Sequence, residues 1–147
     1  MQLSIHISAI PLDPAPLRPD CRADAGAVVE FSGVVRSLEN GHPISGIDYE
    51  AYLPMADREI RRIAKALHQD HPILEMAFFH RTGFVAVSET SLYIRIHSER
   101  RINAFRFLER FIDLLKQDVP IWKRVIPNPP ANAPLSGQSD EKKGPAV

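Results

Sequence analysis

The sequence predicts an α+β fold in which two main helices pack on mainly antiparallel strands. Three observations lead to this prediction: β-branched apolar segments separated by turn residues, two amphipathic segments with helical spacing, and the order β, β-hairpin, α, β, β, α, short β. A chain of 147 residues is long enough to bury one core. We therefore expect one domain over residues 1–126 and a Pro-rich, mobile tail over residues 127–147.

The first half of the chain is expected to supply a strand and a hairpin. Gln2–Ser8 alternates as a strand does, and Gly26–Arg36 is apolar and β-branched, which indicates a buried strand. Gly33 inside the second segment indicates a bulge or a close backbone approach. An Asn-Gly turn signal at 40–41 then predicts that Ile44–Tyr52 pairs with the preceding strand.

The second half is expected to supply both helices and the remaining strands. Met55–His71 has apolar residues at helical spacing and ends before Pro72, and Ile73–Phe79 and Ser91–His97 alternate as strands. A second helix follows and ends by Asp118, before Pro120. Its predicted apolar stripe consists of Ile102, Phe105, Leu108, Ile112 and Leu115.

Composition argues against several classes of function. The formal net charge is zero, so no global field attracts nucleic acid or an anionic membrane. No apolar run reaches the roughly 20 residues of a membrane span, and the N-terminus lacks signal-peptide features. One cysteine fits a reducing cytoplasm. No nucleotide phosphate loop is present, and His68 and His71 lack the partners of a metal site, so we expect neither cofactor nor metal.

Two lysines, Lys116 and Lys123, flank a rigid Val-Pro-Ile-Trp segment. In one interpretation, Lys116 compensates the dipole at a helix C-terminus and Lys123 is solvated. In the other, both ammonium groups enter one pocket walled by Trp122, where like charges in a partly dry site favour a neutral amine. Spacing alone leaves both interpretations open.

Three arginines are candidate anion ligands. Arg100 and Arg101 lie at a predicted strand-to-helix junction, where guanidinium groups and a helix N-terminus together can cradle an oxyanion or a phosphate. Arg36 closes a buried strand before the turn. The alternative for each of them is an exposed, solvated side chain.

Four segments carry a family resemblance. They are G-A-V-V-E-F-S-G-V-V-R at 26–36, Y-E-A-Y-L-P-M-A at 49–56, H-R-T-G at 80–83 and I-D-L-L-K-x-x-V-P-I-W-K-R at 112–124. Together these segments resemble the MoaE family, the large catalytic subunit of molybdopterin synthase. The resemblance implies an α/β-hammerhead-like fold with an additional antiparallel sheet. It also implies a homodimer flanked by two small ubiquitin-like subunits. Each small subunit carries a C-terminal Gly-Gly thiocarboxylate, whose sulfur is transferred to cyclic pyranopterin monophosphate to form the molybdopterin dithiolene.

The same resemblance implies the roles of individual residues. Lys116 and Lys123 take the positions of the catalytic lysines. The implied substrate-binding residues are these two lysines together with Val34, Val35, Arg36, Arg100, Arg101, Arg124 and Val125.

Two positions depart from the family pattern: Arg100 stands where a histidine is usual, and Val125 stands where a glutamate is frequent. These departures permit one alternative, a non-catalytic paralogue that binds the small subunit. A second alternative, an unrelated anion-binding α+β effector domain, is supported only by the basic cluster.

Overall fold

A computed structural model describes residues 1–15 and 22–129 of the chain. Two helices and eight strands account for its regular structure, which confirms the predicted α+β class. In chain order these elements are β1 (Gln2–Ser8), β2 (Ala27–Val34), β3 (Leu38–Glu39), β4 (His42–Ala51), α1 (Leu53–Asp70), β5 (Glu75–Arg81), β6 (Gly83–Ala86), β7 (Thr90–Ser98), α2 (Arg101–Asp118) and β8 (Ile121–Pro127). The tail predicted to be mobile lies, from residue 130 onward, outside the described residues.

The first sheet and the two helices enclose the main core. Its strands are ordered β1-β5-β7-β2, with β1 parallel to β5 and the other pairs antiparallel. The helices contribute Ile60 and Phe111, both fully buried, and β5 contributes Phe78, whose ring meets Phe111 edge-on at 6.0 Å. Neither helix of the described chain is both long enough and apolar enough to cross a membrane.

The predicted pairing of the second and fourth strands is wrong. β2 pairs with β7 from Ala27 to Val34, whereas β4 pairs with β3, β6 and β8. The turn itself is present, since Asn40 and Gly41 have positive φ angles of 50° and 80°, but the hairpin it closes is only the short β3–β4 pair. The strands separate because the inward side chains of β2 belong to the helix-covered core, while Ile47 of β4 belongs to a second apolar cluster.

The predicted apolar stripe of α2 is wrong at its N-terminal end. Ile102 and Phe105 are 48% and 55% exposed. The helix instead buries a neighbouring face, formed by Ala104, Phe107, Phe111 and Leu115. This face also has helical spacing, and the contact of the Phe111 ring with Phe78 of β5 places it against the first sheet.

A second, smaller sheet surrounds β4, with β6 and β8 both antiparallel to it. The prediction for Gly33 is confirmed, because the β2–β7 register shifts between Gly33 and Val34. A Cβ atom at Gly33 would lie 3.2 Å from the Cβ of Leu92, so the backbones approach closely. Just beyond this irregularity Val35 is buried in the second cluster, so the chain leaves the first sheet for the second here.

Candidate active site

A cavity of about 470 Å³ lies where the two sheets and the end of α2 meet. Its apolar wall consists of Phe31, Gly33, Val34, Val35, Ile47, Leu92, Ile112, Leu115 and Ile121. Its polar lining consists of Arg36, Glu39, Tyr49, His80, Ser91, Lys116 and Lys123. The cavity is therefore mostly apolar, with a few polar groups converging on it, as in small-molecule sites.

The two lysines line the same cavity because α2 stops between them. Lys116 is in the last turn of the helix, and the N–H of Val119 donates to the Leu115 carbonyl at 3.3 Å to close that turn. Pro120 cannot continue the helix, and its carbonyl accepts from the N–H of Tyr52 at 3.1 Å. The chain then enters β8, where Lys123 pairs with Tyr49 of β4.

Trp122 does not form a wall of the cavity, contrary to the sequence-based expectation. Side chains alternate along β8, so Ile121 and Lys123 point to the cavity and Trp122 to the opposite face. Trp122 is 57% exposed. The proline positions the lysine by ending the helix, and the strand, not the tryptophan, directs it inward.

The same alternation corrects the expected place of Arg124. Its side chain lies on the outer face of β8 and forms an ion pair with Asp48 of β4 at 2.6 Å. Val125 points inward again, but it packs on the second apolar cluster and is not among the residues that line the cavity. Neither residue lines the cavity of this chain, and the substrate contacts expected of them stay a prediction.

Glu39 forms ion pairs with two of the cationic groups, Lys123 and Arg36, and was not among the site residues predicted from the sequence. One carboxylate oxygen of Glu39 accepts from Lys123 Nζ at 2.5 Å, and the other is 3.5 Å from an Arg36 nitrogen. The hydrogen bond from Lys123 keeps the pKa of Glu39 below its usual range, and the nearby Arg36 charge acts in the same direction. A glutamate beside an Asn-Gly turn carries no sequence signal of this role, because its partner is 84 residues away.

His80 also lines the cavity, although the sequence indicated it only as part of the H-R-T-G motif. The residue is 6% exposed, and its Nδ1 lies 2.8 Å from the Arg81 carbonyl oxygen. Burial lowers the pKa of this imidazole. The edge of its ring meets Tyr49 at a centroid distance of 5.1 Å. A neutral histidine therefore lies in the same cavity as both lysines.

Arg100 and Arg101 are not at this cavity. Arg100 is the N-cap of α2 and Arg101 is its first residue, whereas Lys116 lies in the last turn. Fifteen residues of helix separate Arg101 from Lys116, which is a rise of about 22 Å. The fold thus brings together Val34, Val35, Arg36, Lys116 and Lys123, and leaves both arginines at the far end of the helix.

The fold and the cavity define an α+β protein with a cationic, partly apolar site at the junction of two sheets. The sequence profile of the family described as MoaE protein matches residues 7–118. This chain belongs to the MoaE family.

Curated relatives carry the name molybdopterin synthase catalytic subunit. The human protein is 42% identical over 101 residues, which are 69% of this chain and 54% of that protein. The Thermoplasma volcanium protein is 40% identical over 105 residues, which are 71% of this chain and 77% of that protein. The chain thus spans about half the length of the human, rat and bovine relatives.

Solved structures share the fold. Molybdopterin synthase from Staphylococcus aureus superimposes with a TM-score of 0.76 at 31% identity, covering 84% of this chain and 90% of that one. A complex of subunits 1 and 2 of molybdopterin-converting factor from Helicobacter pylori contains a chain with a TM-score of 0.67. At 24% identity, over 93% of this chain and 97% of that one, the second likeness concerns the fold alone.

Proposed function

We propose that this chain is the catalytic subunit of a molybdopterin synthase. In this reaction, sulfur passes from the C-terminal thiocarboxylate of a small ubiquitin-like partner to cyclic pyranopterin monophosphate, and the dithiolene of molybdopterin is formed. The observation that carries the proposal is that Lys116, Lys123 and Arg36 line the same cavity. Family membership and the names of the curated relatives support it.

The charge of the cavity suits a phosphorylated substrate. Three cations, Arg36, Lys116 and Lys123, face one carboxylate, Glu39, so the lining carries a net charge of two positive units. A phosphate binds guanidinium and ammonium groups through charge-assisted hydrogen bonds. The apolar wall, including the Phe31 ring, offers a surface for a flat pterin ring.

The two lysines supply what sulfur transfer from an acyl group requires. Negative charge develops on the acyl oxygen as its carbon is attacked, and ammonium groups held beside that oxygen stabilise it. The Glu39 ion pair fixes Lys123, whereas none of the ion pairs among the described residues involves Lys116. We propose that Lys116 contacts the reacting groups directly, and that Lys123 contacts both the substrate and the oxyanion.

The partner and the second copy follow from the same proposal. The curated relatives are named as a catalytic subunit, which implies at least one further subunit and supports a small-subunit partner for this chain. If Arg100 and Arg101 bind substrate, a second copy must supply them, because their own α2 carries them about 22 Å from Lys116. We therefore propose a homodimer that adds two small subunits and acts in the cytoplasm.

Reconstitution tests this function. Purified chain is mixed with thiocarboxylated small subunit and cyclic pyranopterin monophosphate, and molybdopterin is measured. The control is a small subunit that ends in an ordinary carboxylate, which has no sulfur to give. Product with the first and none with the second supports the proposal.

Binding of the small subunit without any product would instead favour the non-catalytic paralogue, which the departures at Arg100 and Val125 permit. The other alternative, an effector domain unrelated to this family, is wrong because the chain belongs to the family.

A further inference from the structure

We propose that His80 is the proton acceptor of the cavity and that its Nε2 takes a proton from the water that releases the small subunit. This inference rests on the proposed function and adds a residue to it. The observation behind it is that one buried histidine, with one nitrogen already committed, lines the cavity that also holds Lys116 and Lys123.

The hydrogen bond of Nδ1 determines which nitrogen can accept a proton. A backbone carbonyl only accepts, so the 2.8 Å contact with the Arg81 oxygen requires that Nδ1 carries the hydrogen. In a neutral imidazole the other nitrogen, Nε2, then has the lone pair. Nε2 makes no hydrogen bond to another described residue, and it is not among the buried atoms that lack a partner. It is therefore open to the cavity.

The local fold holds this histidine in place without help from the lysines. His80 is the penultimate residue of β5, and Gly83, whose φ is +78°, lets the chain turn into β6 of the second sheet. The adjacent Arg81 is clamped by Glu89 at 2.6 Å, and Glu89 also accepts from the N–H of Ala86 at 3.1 Å. A base must be held within reach of the proton it removes, and this anchored segment provides that rigidity.

The other ionisable groups of the cavity are less suited to accept a proton. The ionisable groups that face the cavity are Arg36, Glu39 of β3, Tyr49 of β4, Lys116 of α2 and Lys123 of β8. Strand β7 contributes Ser91 and Leu92 to the lining and no charged group. Ammonium and guanidinium groups have no lone pair to offer. Glu39 is engaged by Lys123 and Arg36, and the resulting low pKa makes it a weak base. Burial lowers the pKa of His80, so its acceptor form is present at neutral pH.

The step begins once the sulfur joins the acyl carbon of the small subunit to a carbon of the substrate as a thioester. Water adds to the acyl carbon, a C–O bond forms, and one water proton moves to Nε2 of His80. The tetrahedral oxyanion collapses, the acyl C–S bond breaks, and sulfur remains on the substrate carbon as a thiolate. The small subunit leaves with a carboxyl group that keeps the second water proton until it ionises. The imidazolium returns its proton to solvent, and no oxidant or reductant is needed.

The test compares His80→Gln with His6→Gln in the reconstituted complex. Glutamine places an amide near the position of Nε2 but cannot take up a proton, and His6 lies on an exposed part of β1, where it stacks on Phe79. We expect His80→Gln to lower the single-turnover rate by at least about a hundredfold. The substrate KM should be unchanged, the covalent thioester should accumulate in mass spectra, and the acidic limb of the pH–rate profile should be lost. His6→Gln should behave as the wild type does.

Two results would overturn the inference. One is a His80→Gln rate close to that of the wild type with the acidic limb retained. The other is nitrogen NMR of the labelled wild-type protein showing the hydrogen on Nε2, a measurement that holds even if the variant does not fold. A wild-type complex that makes no molybdopterin would instead refute the proposed function.

Discussion

Replacing each cavity lysine by alanine is the most direct perturbation of the proposed chemistry. Lys116→Ala and Lys123→Ala remove an ammonium group from the cavity and leave its apolar wall intact. Lys65→Ala is a matched control, because Lys65 is an exposed lysine of α1 that does not line the cavity. We expect only the first two substitutions to slow sulfur transfer strongly.

The expected magnitude follows from the place of each lysine. Removing one positioned group that stabilises an oxyanion lowers the rate by about 10²–10³-fold, which is about 2.7–4 kcal/mol of activation free energy. Stability should change far less. Lys116 lies in the last turn of α2, where the favourable interaction of a cation with the helix dipole contributes about 0.3–1 kcal/mol to the free energy of unfolding. In a chain of this length, the loss of this contribution lowers Tm by no more than about 4 °C. Lys123 is half exposed, so the loss of its ion pair costs little stability.

The assay is single-turnover formation of molybdopterin with saturating thiocarboxylated small subunit, accompanied by thermal unfolding of each variant. If the lysines act as a unit, the double variant should be hardly slower than the slower single variant. Near-normal turnover in both single variants, with the melting temperature unchanged, would remove the lysines from the mechanism. A large loss of Tm would show that their role is structural.

The remaining predictions concern Glu39 and the second copy. Lys123 lowers the pKa of Glu39 in the folded chain. The ion pair therefore stabilises the fold at pH values above 4.5, the ordinary pKa of a glutamate, and this stabilisation is lost as the pH falls through the lower pKa of the folded chain. The Tm difference between wild type and Glu39→Gln should therefore shrink in acid, and a constant difference across pH 3–7 would contradict this. Analytical ultracentrifugation at micromolar concentration should show a dimer, and a stable monomer would exclude it. Mixing Lys116→Ala with Arg101→Ala chains should restore about a quarter of wild-type activity, since half of the dimers then hold one intact site. No recovery after subunit exchange would place Arg101 outside the site.

The elements themselves were predictable because their signals are local. Helical spacing, the proline after α2 and the β-branched strands each depend on residues close in sequence. Gly33 is a further example, since a glycine inside an apolar strand indicates an irregularity in that strand, whichever strand it pairs with. Pairing was not predictable in this way. The short span between β2 and β4 favoured a hairpin, yet β2 pairs with β7, about 60 residues further along the chain.

The sequence by itself determined that a helix ends between Lys116 and Lys123, and that a strand follows with alternating side chains. It did not determine which face of that strand is inward. Only the pairing of β8 with β4 decides that, by placing Lys123 beside Tyr49 over the cavity and Trp122 outside. Glu39 and His80 join the lysines for the same reason, since they come from strands that meet only when the second sheet packs against the first. Local propensity determines an element from its own residues, whereas a site is formed by contacts between residues far apart in the chain, and those contacts exist only once the core has packed.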